Sequence, residues 1–230
     1  MTDFFRFPHT PHIAWLADGC PRDDKILLAH EVDELLAGEV VVEEKLDGAN
    51  LGLSLDENGE LRAQNRGHYL TLPYSGQFSR LASWLAQHQH TLLPHMTPSL
   101  MLFGEWCAAR HGINYAALPD WFLLFDVYDT EEQQFWSTIR RNELAVQMGL
   151  STVPRLLQGR TTLVQLKQLV AQAKSHYSTG SPEGVVVRRD NANWCEAKAK
   201  LVRPDFTQAI TEHWSRRGLE WNQLKQKAWE

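Results

Sequence analysis

The chain has 230 residues, a formal net charge of −5, 43 % hydrophobic and 22 % charged residues, which excludes a fibrous repeat and wholesale disorder. That length supports one sizeable core, or one domain with an appendage, and not a fusion of two enzymes. The negative balance excludes a surface coated in basic charge for nonspecific nucleic-acid binding.

The charge is uneven. Residues 1–100 carry 7 basic against 14 acidic side chains, residues 101–180 carry 7 of each, and residues 181–230 carry 9 against 7. A polyanion site is therefore local, with Arg188, Arg189, Arg203, Arg216 and Arg217 as its source of positive charge. No apolar run reaches the ~20 residues of a membrane helix, and the opening MTDFFRFPHTPH lacks the features of a secretory signal. The sequence reads as cytoplasmic, without a membrane partner. Cys20, Cys107 and Cys195 are far apart and form no CxxC pair, so they read as reduced thiols.

In chain order, residues 39–46 (EVVVEEKL) are β-branched and turn polar, and residues 50–55 (NLGLSL) alternate apolar with polar or small. The first reads as a buried strand and the second as its partner. Asp56-Glu57-Asn58-Gly59 has hairpin-turn chemistry, so a third strand follows over residues 61–64. Lys45-Leu46-Asp47-Gly48 then falls between two strands of one antiparallel sheet. Phe78, Leu81, Ala82, Leu85 and Ala86 recur at helical spacing until Pro94. Residues 100–106 and 121–128 read as buried strands, and residues 140–148 and 161–175 as helices. Residues 184–189 and 194–199 form a last strand pair around Asp190-Asn191-Ala192-Asn193. Beyond Pro204, Phe206, Ile210, Trp214, Trp221, Leu224 and Ala228 fit one face of a helix broken at Gly218. The order is α+β, mostly antiparallel sheets flanked by helices, with one domain over residues 1–203 and a short helical tail over 204–230.

A lysine at the end of an apolar strand, followed by Asp-Gly, is a nucleophile once its amine is neutral. Burial and nearby positive charge both push Lys45 down from a reference of ~10.4, and Gly48 permits close approach of a phosphate or of backbone. Taken alone, the motif also fits a surface lysine beside a tight turn. It does not stand alone. Gln64-Asn65-Arg66-Gly67, Phe103-Gly104-Glu105-Trp106, Phe122-Leu123-Leu124-Phe125-Asp126, Glu183-Gly184-Val185-Val186-Val187-Arg188 and Lys198-Ala199-Lys200 follow in that order. Over residues 43–200 this series resembles the covalent nucleotidyltransferases, the polynucleotide ligases and messenger-RNA capping enzymes. Asn50 closes EKLDGAN where DNA ligases and capping enzymes usually carry arginine. With the segment FGEWCAARHGINYAALPDWFLLFDVYD, it makes the chain resemble small bacterial members of the ATP-dependent RNA ligase family.

The resemblance implies a ligase-type adenylyltransferase domain that uses ATP and Mg2+, with Mn2+ as an alternative, on RNA ends or a nicked RNA duplex. In that reading Lys45 attacks the α-phosphorus of ATP, expels pyrophosphate and holds AMP as a phosphoramidate. AMP then passes to a 5′-phosphate end, and a 3′-hydroxyl displaces it. Lys198 and Lys200 resemble the paired catalytic lysines on the α-phosphate, and Glu183 resembles the metal-site carboxylate. Glu105 looks like the acid on the ribose hydroxyls, and Arg66 like the arginine that touches ribose and the nucleic-acid end. Phe125 looks like the aromatic that stacks on adenine, with Phe122 as the alternative register. Asp47 supports the site geometry or metal waters, backbone near Glu43 and Glu44 recognises the adenine edge while their side chains also fit a merely solvated role, and Glu44 and Asn50 belong to the same nucleotide-binding set. DNA ligase and a non-catalytic nucleotide- or RNA-binding module remain the alternatives. Such ligases commonly carry a second domain after the paired lysines, where thirty residues follow Lys200 here. A protein partner is one way to supply it. His88, His90 and His95 read as a solvated face and not as a metal cluster. His111 reads as a substrate-facing or supporting contact, and His12 lies in an element similar to one in related small ligases.

Overall fold

In a computed structural model the chain is described over residues 4–19, 25–209 and 218–226. Expectations for Cys20, Ile210, Trp214, Arg216, Arg217 and Ala228 fall outside those residues. The described strands form two sheets. The first has the order β10-β9-β1-β8, built from β1 (Val40–Lys45), β8 (Arg155–Gly159), β9 (Gly184–Asp190) and β10 (Cys195–Val202). Alternate side chains of a strand point to opposite faces. Val40, Val42, Val185, Val187, Ala199 and Leu201 therefore share one face, packed against Val32 and Leu35 of α1 (Ala29–Leu36) and Leu166 and Val170 of α4 (Leu163–Gln172). The same parity sends Lys45, Val186, Arg188, Lys198 and Lys200 to the other face.

The second sheet has the order β3-β2-β4-β5-β6, with β7 (Ser151–Thr152) pairing parallel to β5. Its strands are β2 (Ala49–Leu55), β3 (Leu61–Gln64), β4 (Leu100–Trp106), β5 (Phe122–Asp129) and β6 (Gln134–Phe135). Leu51, Leu53, Leu102, Trp106, Phe122 and Leu124 bury one face against Trp84 of α2 (Leu81–Leu92) and Leu144 and Met148 of α3 (Thr138–Met148). Within β5 the pairing steps from Phe103↔Asp126 to Gly104↔Leu124. Phe125 is thus the extra residue of a bulge. Strict alternation would turn Asp126 into the helical core, but after the bulge Val127 takes that place and Asp126 faces the first sheet.

The expected hairpin between the first two strands is not formed. β1 pairs with β8 and β9, whereas β2 pairs with β3 and β4. Leu46-Asp47-Gly48 crosses from one sheet to the other because its polar groups bond elsewhere: Asp47 N donates to Tyr115 Oη at 2.8 Å and Gly48 N to Glu105 Oε1 at 2.9 Å. A Cβ on Gly48 would stand 2.6 Å from the carbonyl oxygen of Trp106, so only glycine fits this crossing. The turn at Gly59 and the three strands of the central region match the sequence expectation closely, while α1, β6, β7 and β8 were not foreseen.

The tail differs in part from the expected helix. Pro204–Ala209 forms α5, but residues 218–226 run as a strap in which Trp221 bridges Ala109 and Leu224 bridges Leu118. Asn222, 3 % exposed, fixes it. Its Oδ1 accepts from Tyr115 N at 2.9 Å, and its Nδ2 donates to the carbonyls of Cys107 and Ala109 at 2.8 and 3.2 Å. Backbone-to-backbone bonds need no helical periodicity, so the apolar spacing of Trp221 and Leu224 was misleading. Among the described residues no helix is long and apolar enough to cross a membrane.

Candidate active site

Lys45 stands at the end of β1, where its Nζ donates to Glu183 Oε2 at 2.7 Å. Glu183 immediately precedes β9, and Lys45 pairs with Gly184 in the register. A Cβ on Gly184 would stand 2.2 Å from the carbonyl oxygen of Leu201, so close contact with β10 also requires glycine at this point. One cavity between the sheets gathers Glu44, Lys45, Asn50, Arg66, Glu105, Phe125 and Lys198. The sequence placed all of these in one site. Glu183 joins them through Lys45.

Two expected members stand behind the cavity wall. Asp47 turns its Oδ2 toward the backbone amides of Gly112 and Ile113, at 2.6 and 2.8 Å, and so ties the crossing to the 107–118 loop. Lys200 lies on the same face of β10 as Lys198, opposite Val186, and its charge acts on Glu183. The N-terminal segment fixes that position. Lys200 N donates to Pro11 O and Ile13 N to Lys200 O, each at 2.8 Å, so His12 serves as part of an added edge strand. Phe122 is fully buried in the helical core, and of the two candidate aromatics Phe125 is the one that reaches the cavity.

Asp126, Arg188 and Phe7 also line the cavity and were not assigned to it from sequence. Asp126 accepts from both Arg188 and Lys198, and the Lys198 ammonium lies 4.7 Å from the Phe7 ring centroid and 3.7 Å from that of Phe135. The expectation that Arg188, Arg189 and Arg203 supply loose positive charge is corrected. Arg188 is 1 % exposed and held by Asp126, Arg189 bonds Glu196 and the Glu34 carbonyl, and Arg203 pairs with Asp205. The bulge that re-aims Asp126 has no local sequence signal. Glu43 also lines the cavity; the expectation that the Glu43 and Glu44 side chains are solvated is corrected, since both are buried and the Glu43 carboxylate is taken by the Arg141 guanidinium, at 2.5 and 3.1 Å.

The electrostatics invert one expectation. Burial pulls the Lys45 ammonium down, but the charges of Glu183, Glu105 and Asp47 outweigh it and hold its pKa above the ordinary 10.5. The expected cationic neighbours are engaged elsewhere, Lys198 by Asp126. Burial pushes the Glu105 carboxyl up to about 7, against the pull of Lys45 and with the help of Glu183 and Asp47. Glu183 is raised as well, chiefly by burial. For Asp126, Arg188 and Lys198 overcome burial and lower the carboxyl.

No group of three or more His, Cys, Asp or Glu side chains is gathered to hold a metal ion among the described residues. Glu183 and Glu105 are nevertheless two crowded, desolvated carboxylates beside the cavity. Hard oxygen donors in that number suit a divalent cation that completes its shell with phosphate oxygens and water. His88 is not merely solvated: it stacks on Trp84 at 4.2 Å and meets Asp120 at 3.0 Å. His111, left without a partner by the sequence, meets Gln77 Oε1 at 2.8 Å.

The family model described as RNA ligase matches residues 38–202, and the chain belongs to that RNA ligase family. Its fold is shared with Naegleria gruberi RNA ligase. The structure of that ligase with PPi is 20 % identical, with a TM-score of 0.64 over 90 % of this chain and 64 % of the other. A lysine-to-alanine variant with ATP and Mn gives 18 % identity and a TM-score of 0.58, over 78 % of this chain and 53 % of the other. A glutamate-to-alanine variant with ATP and Mn gives 18 % and 0.57, over 80 % and 55 %. The chain thus spans between about half and two thirds of the ligases it matches. No curated protein matches it.

Proposed function

We propose that the protein is an ATP-dependent RNA ligase that adenylylates itself on Lys45, transfers AMP to a 5′-phosphate end and seals that end to a 3′-hydroxyl. The observation that carries this reading is the Lys45–Glu183 contact at the mouth of a cavity that also holds Glu44, Asn50, Arg66, Glu105, Phe125 and Lys198. Family membership supports the reaction class, and the ATP and Mn in the Naegleria structures support ATP and a divalent cation as its requirements.

In the first step the neutral Lys45 amine bonds to the α-phosphorus while the bond to the pyrophosphate oxygen breaks. Lys45 must first lose a proton to water, and Glu183 Oε2, which accepts from its Nζ, orients the amine. Phe125 offers a face to the base, and Glu105 accepts from ribose hydroxyls. The Glu44 carboxylate accepts from His176 through one oxygen, while its Oε1 is buried without a partner and borders the base. Lys198 and Lys200 balance phosphate charge, and Asp47 holds the crossing that carries the nucleophile. Glu183, with Glu105 beside it, would hold Mg2+ or Mn2+. Such an ion neutralises phosphate charge and so favours attack at phosphorus. The Glu105 and Lys45 positions leave positioning and charge as the main catalytic resources.

The same reading places the protein in RNA repair in the cytoplasm, where the free thiols of Cys107 and Cys195 fit a reducing compartment. It also includes a protein partner that adds grip on RNA, supported by the net charge of −5 and by the pairing of Arg188, Arg189 and Arg203 within the protein. Paired incubations with α-labelled and γ-labelled ATP test the proposal. Label from the α position alone should remain on denatured protein, in step with pyrophosphate release. Retention of both labels would point to simple nucleotide binding, and sealing of all-DNA nicks as fast as RNA-ended ones would point to a DNA ligase.

A further inference from the structure

Leu46-Asp47-Gly48 carries the chain from Lys45 to the second sheet, so whatever fixes these three residues also fixes the stem of the lysine. One hydrogen bond goes to the cavity wall, from Gly48 N to Glu105 Oε1. Three go the other way, into the 107–118 loop. Asp47 N donates to Tyr115 Oη at 2.8 Å, and Asp47 Oδ2 accepts from Gly112 N at 2.6 Å and Ile113 N at 2.8 Å. The two carboxylate bonds use backbone amides, which almost any residue supplies. The bond to Asp47 N uses a side chain. Phenylalanine at 115 would fill the same space and leave that amide without this acceptor, a loss that is costly for a group shielded from water.

Tyr115 is framed on every side. Its fully buried ring shares a cluster with Leu46, Cys107, Leu118, Leu123 and Val153, so ring and hydroxyl address neighbouring residues of the crossing. Its backbone is caught by the strap over residues 218–226: Tyr115 N donates to Asn222 Oδ1 and its carbonyl accepts from Gln223 N, each at 2.9 Å. The strap is bonded on both flanks of this point, with Glu220 O accepting from Arg110 N at 2.9 Å and Gln223 O from Leu118 N at 3.0 Å. Burial pushes the phenol well above its ordinary 10, so the hydroxyl stays neutral and keeps a lone pair for the Asp47 amide. Yet Tyr115 does not line the cavity of Lys45. It stands behind the wall.

We infer that Tyr115 is a positioning residue for self-adenylylation, its hydroxyl on Asp47 N setting where Lys45 leaves β1 and the strap setting where that hydroxyl stands. The inference rests on the ligase reading and adds to it the device that aims the nucleophile. In self-adenylylation the Lys45 nitrogen forms a bond to the α-phosphorus while the bond to the pyrophosphate oxygen breaks, so its placement enters the rate directly. In sealing, a 3′-hydroxyl attacks and AMP leaves, and Lys45 forms no bond. Tyr115 therefore counts in the first step and not in the last. It makes no contact in the cavity, so its loss belongs in the rate at saturating ATP and not in the ATP concentration required.

The test uses the full chain and its Tyr115→Phe and Asn222→Ala variants in two separate reactions. One is self-labelling with α-labelled ATP over a range of ATP concentrations; the other is sealing of a pre-adenylylated RNA end. For Tyr115→Phe the maximal labelling rate should fall about 10- to 100-fold, since a misplacement of ~1 Å costs on the order of 10² in rate. The half-saturating ATP concentration should be unchanged, and sealing should match the parent, which also shows that the variant folds. Asn222→Ala, which loosens the frame around Tyr115, should show the same split with a smaller fall. Labelling of Tyr115→Phe at the parental rate would overturn the inference alone. So would labelling and sealing that fall together, the mark of a general loss of structure, or a raised half-saturating concentration at an unchanged maximal rate. A parent that never labels itself would overturn the ligase reading, and the positioning role with it.

Discussion

Asp126 shows how much one carboxylate can be asked to do in a closed site. It holds Arg188 and Lys198 at once, and all three side chains are nearly or fully buried. Removing one partner of a buried pair leaves an uncompensated charge, at a cost of about 3–5 kcal/mol. Asp126→Ala should therefore lower the unfolding free energy by about that amount in denaturant titrations, and a loss below ~1 kcal/mol would show that the pair is solvated. Glu105 gives a prediction of opposite sign. Its carboxyl ionises at an ordinary 4.5 when unfolded and at about 7 in the folded protein. Between those values the folded protein holds a proton that the unfolded chain has lost, so stability falls as pH rises across that window. Glu105→Gln removes this penalty. The variant should exceed the parent in unfolding temperature by more at pH ~8 than at pH ~5, and an equal difference at both would contradict the burial of that charge.

At the scale of elements, β9 and β10 touch so closely at Gly184 that a Cβ would meet two backbone groups, Leu201 O at 2.2 Å and Val202 Cα at 2.8 Å. Gly184→Ala should cost about 1–3 kcal/mol in stability, the usual range for overpacking, and should separate Glu183 from Lys45, slowing self-labelling. The strap makes a second prediction. Asn222→Ala leaves Tyr115 N and two carbonyls without partners, a loss of about 1–3 kcal/mol. Amide hydrogen exchange at Gly112 and Ile113, which hold Asp47, should accelerate; unchanged exchange would mean that the strap does not brace the loop. These elements also mark how far sequence reaches. The strands of the site were legible because β-branched runs and their alternation are local. Parity puts Lys198 and Lys200 on one face of β10, whereas Lys45 joins that face only through the register with β9. The bulge at Phe125, the crossing at Gly48 and the extended path of Trp221 depend on partners distant in the chain, Gly104, Glu105 and Ala109, so no local pattern announces them. The charge of Lys45 was misread for a related reason, since Glu183 and Glu105, which with Asp47 outweigh its burial, come from distant parts of the chain.

For the whole molecule, the balance of charge bears on how RNA is held. Net charge is −5, and Arg188, Arg189 and Arg203 are tied to partners within the protein. Among the described residues little free positive charge is left around Arg66 to track a long backbone, and contacts to phosphates weaken steeply with salt. Sealing of a pre-adenylylated RNA should therefore be slower than self-labelling and should fall first as salt is raised. Joining as fast as charging across a salt series would reveal a complete substrate clamp. The central claim is that Lys45 is the residue that carries AMP, and peptide mapping after incubation with ATP and Mg2+ tests it most directly. We expect mass spectrometry to find the AMP adduct on the peptide that contains Lys45, with none on Lys45→Arg protein of unchanged unfolding temperature. An adduct on another lysine, or equal modification of Lys45→Arg and parent, would contradict the account.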